Sequence, residues 1–269
     1  MLSKERYLEF HSKFYDLLDE ENVWFKKLLS FEQHKIASTS AQGPSWMIFH
    51  MMADGHTNEL LNGLNHFCTR SRRLEVWSRI LNETENEDEK FEVLLEMVEP
   101  LFRVTIDYPY ALRSSLIYVS CLLLRETARL LRFTFKDFKD RDITYKTIGG
   151  FRPLAEAQGW TGFDIFLQKL SEINSKEFVE QTQNYRNRFH HQVEPNLEMG
   201  LLQSVVRQKG KGVLSYEFGV ENPVKLSKIL PLLASQFDAC VGGFEAFWAL
   251  LNEQIREWGQ RRPNAQPSA

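Results

Sequence analysis

The chain has 269 residues, 43% of them hydrophobic with 20 Phe and 6 Trp, enough apolar material to fill the core of one large domain or two small ones. A formal net charge of −3 excludes a global basic field that would gather nucleic acid or an anionic membrane, so any anion site must be local. No run of about 18 apolar residues occurs, the N-terminus MLSKERYLEFHSKF lacks a signal core, and Cys68, Cys121 and Cys240 are far apart among apolar or helical neighbours; a cytoplasmic protein with buried free thiols and no membrane association is expected.

From Ser3 to Leu29, Tyr7, Leu8, Phe14, Leu17, Leu18, Phe25 and Leu28 keep helical spacing, which predicts a first long helix. A second helical region runs from Ser45 toward Leu81, with Gly55 and Gly63 as points where it can bend or split. Asn82 to Asp88 is a polar loop, and helices resume near Glu89 with Pro100 and Tyr108-Pro109 as kinks or ends. The segment Pro109 to Phe133 is apolar on most of its circumference between Leu116 and Leu124, as a central bundle helix is, and turns basic with Arg125, Arg129 and Arg132 around Glu126. Thr134 to Gly162 reads as loops and a short helix, and Phe163 to Ile173 as another helix.

Ser175 to Pro195, SKEFVEQTQNYRNRFHHQVEP, predicts one amphipathic helix. Ser175 is a good N-cap, Glu177 puts negative charge in the first turn, and Phe178, Val179, Thr182, Tyr185 and Phe189 recur at steps of three and four. Arg186, Asn187, Arg188, His190 and His191 then cluster before Pro195, where unpaired carbonyls and the helix dipole favour cations. Behind them, Leu201 to Gln208 and Val213 to Val220 flank Lys209-Gly210-Lys211-Gly212, a hairpin signal. Pro223 opens a last apolar-faced helix, and the tail from Gln260 has nothing to bury. The fold class expected is mostly all-α, a helical bundle with a β-hairpin inserted after the motif helix.

Arg186, a polar Asn187, three further residues and His191 resemble the signature of the HEPN superfamily, whose catalytic members carry an Arg, four to six residues and a His at the end of a bundle helix. The Pro109–Phe133 segment is similar to the long core helix preceding that motif in bacterial HEPN families. The resemblance spans roughly Leu101 to Trp258, which implies an N-terminal helical extension over 1–100, a HEPN-like bundle over 101–259 with the hairpin near 201–220, and a disordered tail over 260–269. It further implies a metal-independent endoribonuclease without cofactors. Such an enzyme acts on RNA as a homodimer with two motifs facing each other, in a toxin or anti-phage role, with an antitoxin or regulatory protein as a further partner. Where some HEPN toxins carry a modified tyrosine two residues past the His, this chain has Val193, so that form of regulation is not expected.

RNA is cut by its own 2′-hydroxyl when a base takes that proton and a cation steadies the added charge on phosphate. Arg186 suits the cationic role and His191 the acid–base role, with Asn187 as a positioning group and Glu126 as a carboxylate able to orient a catalytic residue. Family spacing selects His191; a strict helix selects His190, about 40° from Arg186 against about 140° for His191. Both remain open on sequence. Arg186, Arg188, Arg207, Lys209 and Lys211 against Glu194 and Glu198 leave an excess of three positive charges, five minus two, so Arg188, Arg207, Lys209 and Lys211 are candidate RNA contacts.

Three other readings compete with catalysis at this helix end. The cations can simply cap carbonyls. A non-catalytic HEPN-like module can bind RNA or a protein partner. His50, Asp54 and His56 can instead form a divalent metal site in a helical bundle, His50 and Asp54 sharing a helix face. Glu126 with Arg129 is also readable as an ordinary helix ion pair, and Arg113 is open to the same two readings as Glu126.

Overall fold

A computed structural model describes residues 2–20, 24, 27–36, 43–136, 138–191, 195–200, 202–209 and 214–260. The chain is mostly helical: α1 Lys4–Asp19, α2 Gly43–Glu83, α3 Glu87–Val93, α4 Glu99–Leu130, α5 Tyr145–Gly149, α6 Arg152–Gln158, α7 Gly162–Glu172, α8 Lys176–Gln181, α9 Tyr185–His191 and α10 Leu226–Gln260. Leu202–Lys209 (β1) and Leu214–Glu221 (β2) pair antiparallel, with Leu202 opposite Glu221 and Lys209 opposite Leu214. Gly210, Lys211 and Gly212 of the expected turn and the tail beyond Gln260 lie outside the described residues.

The chain divides into two compact units that interleave along the sequence rather than separating near residue 100. One comprises Met1–Lys27, Cys68–Asp107 and Ser175–Ser235, the other Leu28–Phe67, Tyr108–Asn174 and Gln236–Ala269. The reason is that α2, α4 and α10 are each long enough to serve both units, so no single cut in the chain separates them.

In the first unit, α1 is capped by Ser3, whose hydroxyl accepts from Arg6 N. Contrary to the spacing, the helix stops at Asp19, where the backbone turns extended at Glu20. Arg72 of α2 donates to the exposed carbonyl of Leu18 and Arg79 pairs with Glu20 at 3.0 Å, so side chains distant in sequence finish this terminus. Phe14 stacks on Trp77 at 4.7 Å, and Leu74, Ile80, Val93, Leu94, Val98, Phe102 and Ile106 complete a buried core. A π-helical turn at Leu94–Val98 joins α3 to α4 without a break, and Pro100 follows directly after it.

The helix expected over Ser175 to Pro195 is two helices. Ser175 caps α8 by accepting from Phe178 N, as its position suggested. Gln183 and Asn184 then take left-handed backbone conformations, with φ of 54° and 52°, and end the first segment before α9 begins at Tyr185. Leu197 and Val224 form an isolated bridge, and Glu198 accepts from Leu226 N, fixing the entry to α10.

In the second unit, α2 passes through Gly55 and Gly63 unbroken. Gly63 has a packing reason: a Cβ there would stand 2.9 Å from Leu112 Cδ2 on α4. Pro109 likewise lies inside α4 and forfeits one helical bond to the Thr105 carbonyl rather than ending the helix. Around them Phe49, Leu61, Leu64, Phe67, Leu123, Phe163, Phe166, Phe237, Phe244 and Phe247 are buried.

Candidate functional site

The seven residues of α9 lie on the start of α4 through three pairs of side chains, all within the first unit. Tyr185 is fully buried and meets Phe102 edge-on at 4.7 Å. Phe189 lies under Arg103, whose guanidinium is 5.2 Å from the ring centre and also pairs with Glu99 at 3.2 Å. Between them, Asp107 receives Arg186 and His190 together. Arg186 Nε is 2.8 Å from Oδ1, and His190 Nε2 is 3.0 Å from Oδ2. Four-residue spacing puts Arg186 and His190 on one helix face, which is why one carboxylate can hold both.

Of the two histidines it is His190, the one on the helix face of Arg186, that reaches Asp107. His191 is exposed one residue further around, and its ring centre is 6.1 Å from that of His190. The side chains of Asp107, Arg186 and His190 keep 34, 31 and 36% of their surface open, so solvent and a substrate can reach the cluster. A carboxylate accepts and does not donate, so Nε2 of His190 carries the proton of that bond and Nδ1 faces away from it. An imidazole oriented in this way beside a guanidinium can exchange a proton while a positive charge stands next to it.

No family model, curated protein or solved structure matches the chain.

The other sequence candidates are distributed differently. Asn187 and Arg188 are half-buried on α9. Glu126 belongs to the second unit and pairs with Arg129 at 2.8 Å and Arg125 at 3.6 Å, the ordinary ion-pair reading. Arg113, also in the second unit, lies 5.3 Å from the centre of the Tyr145 ring. Arg207 and Lys209 are on β1, with Lys211 outside the described residues, and the side chains of the strand pair are likewise not described.

The proposed metal ligands do not come together. His50 packs its ring 5.7 Å from Trp46 and buries an Nε2 without a hydrogen-bond partner, Asp54 accepts from Asn58 at 3.4 Å, and His56 Nδ1 faces Glu59 at 3.3 Å. Two residues beyond Asp54 is about 200° around the helix, so His56 turns to another side. Among the described residues no group of three or more His, Cys, Asp or Glu side chains is arranged to hold a metal ion.

Sequence reasoning missed Asp107. It is the one acid on α4 between Glu99 and Glu126, a visible oddity in an apolar stretch, but its role depends on a helix nearly 80 residues downstream. The three cysteines are free and buried. Burial pushes the Cys68 thiol up to about 11 and Cys121 up to about 12, and raises Cys240 too, so none is poised as a nucleophile. No helix among the described residues is long and apolar enough to cross a membrane.

Proposed function

We propose that the chain is a metal-independent endoribonuclease whose chemistry is carried by Asp107, Arg186, His190 and His191. The observation that supports this reading is the meeting of Arg186 and His190 on Asp107 along one half-exposed face of α9. His190, oriented by Asp107, takes the proton from a ribose 2′-hydroxyl. The freed oxygen attacks phosphorus, the bond to the 5′-oxygen breaks, and that leaving oxygen takes a proton from His191, giving a 2′,3′-cyclic phosphate and a 5′-hydroxyl. The two imidazoles stand with ring centres 6.1 Å apart on neighbouring residues. Arg186 steadies the charge gathering on the phosphate oxygens. The homodimer, a restraining partner protein and a role in limiting growth or phage infection come with the HEPN resemblance.

The test is incubation of purified protein with total RNA in EDTA, beside Arg186→Ala, His190→Ala and His191→Ala. Cyclic-phosphate ends should form, with losses on the order of a hundredfold or more for each variant. Cleavage that requires a divalent ion and survives all three changes would sink the reading.

One observation favours a second reading. The Asp107 carboxylate offsets the charge of Arg186, and with a neutral His190 the three groups carry no net positive charge to attract phosphate. A non-catalytic HEPN-like module that binds RNA or a protein through this face fits that balance. It is distinguished by RNA that is retained but left uncut.

A further inference from the structure

Beyond that reading, a different part of the molecule has the composition of a nucleotide site. After α4 the second unit holds a cavity of about 300 Å³ lined by Phe135, Phe138 and Phe151 together with Lys136, Lys146 and Thr147. Its size is at the small end for ligand pockets, enough for one aromatic base but not for two.

The rings and charges of this cavity are placed for different parts of one ligand. Phe151 is buried, with Phe135 5.7 Å away at a tilt of 36° and Phe138 5.9 Å away at 88°, so the three lining rings form one aromatic cluster. The Arg125 guanidinium lies over Phe138, 5.3 Å from the ring centre. Lys136 and Lys146 are exposed at the rim.

Among the described acids of this loop, none pairs with those lysines. Asp140 pairs with Arg125 at 2.8 Å, and Asp142 stands 3.9 Å from Arg141. Among the described residues Lys136 and Lys146 form no ion pair. Over Lys136 to Arg152 the sequence has five cations against three acids, a local excess of two in a chain whose net charge is −3.

An apolar aromatic floor with two exposed ammonium groups at its rim selects a flat ring carrying an anionic group. We propose that this cavity binds a nucleotide, the base against Phe135, Phe138 and Phe151 and the phosphate at Lys136 and Lys146. A free mononucleotide and one nucleotide of a single-stranded RNA offer the same base and phosphate. Neither source depends on Asp107, Arg186 or His190, so this site stands or falls apart from the proposed ribonuclease.

The experiment is titration of the full chain with fluorescent-labelled AMP and, separately, with a labelled six-nucleotide oligoadenylate, at low salt. Wild type should bind at least one of them, with adenosine at least tenfold weaker than AMP where AMP binds. Lys136→Glu with Lys146→Glu should weaken binding at least tenfold, and Phe135→Ala several-fold, with circular dichroism confirming that each variant is folded. Binding of the oligonucleotide without AMP identifies the strand as the source and still supports the site. Absence of binding to either probe at millimolar concentration overturns it, as does affinity unchanged by the double charge reversal. AMP affinity that is lost in Arg186→Ala but kept in the double charge reversal would place the nucleotide at α9 and overturn this site, which keeps failure of the ribonuclease reading distinct from failure here.

Discussion

Asp107 Oδ2 stands 3.0 Å from His190 Nε2, across 83 residues of sequence. This contact fixes the imidazole from outside α9, so a change at Asp107 should act on chemistry without removing a reacting group. Asp107→Asn keeps the shape but can present an amide N–H instead of an acceptor, which lets the opposite tautomer form. We expect RNA cleavage to fall tenfold or more in Asp107→Asn while the melting temperature changes little. His190→Ala should cost more activity than Asp107→Asn. Equal cleavage in wild type and Asp107→Asn would remove the orienting role.

The seat of α9 is apolar as well as ionic. Phe102 is fully buried against Tyr185, and truncating it leaves a void beneath the helix that carries Arg186 and His190. Phe102→Ala should destabilise the chain by about 3–5 kcal/mol in denaturant unfolding. It should also reduce cleavage more than its stability loss explains, because α9 is too short to hold its place without that contact. A variant that is destabilised yet cleaves at the wild-type rate below its transition would show that the site does not depend on this seat.

Local signals carried some of this architecture. Ser3 and Ser175 mark helix starts by side-chain chemistry confined to a few residues, and Phe178, Thr182 and Tyr185 face the core as their spacing indicates. The end of α1 was not legible, because Arg72 and Arg79 act on it from another helix. The break at Gln183 and Asn184 was also hidden: neither residue is glycine or proline, and the buried Thr182 and Tyr185 on either side keep a helical rhythm across it. At the site, Arg186 and the histidines stood out by composition, but the choice of His190 at the carboxylate required Asp107, whose partner residues are remote in sequence.

Two glycines of α2 make opposite demands. A Cβ at Gly55 meets nothing within 4 Å, whereas one at Gly63 reaches 2.9 Å from Leu112 Cδ2. Gly55→Ala should therefore stabilise the chain by about 0.5–1 kcal/mol through the reduced entropy of the unfolded chain. Gly63→Ala gains the same propensity but must displace Leu112, and Gly63→Val should be destabilising by about 1–3 kcal/mol. Urea unfolding of the three variants measures the contrast, and equal stabilisation at both positions would show that α2 and α4 do not approach closely at Gly63.

The buried thiols give the stability a direction with pH. Cys68 and Cys121 are raised from an ordinary value near 9 to about 11 and about 12, and Cys240 is raised as well, in each case chiefly because burial penalises the thiolate. The unfolded chain therefore loses these protons first as pH rises. Their contribution to stability is complete below pH 9 and is lost between that value and the folded values, at up to about 1.4 kcal/mol per pH unit for each thiol. Stability measured by urea unfolding should fall more steeply from pH 8 to pH 10.5 in wild type than in a Cys68→Ala, Cys121→Ala, Cys240→Ala variant, whatever the variant's lower starting point. Parallel slopes would mean that the thiols ionise alike in the folded and unfolded chain, and that their burial does not resist the charge.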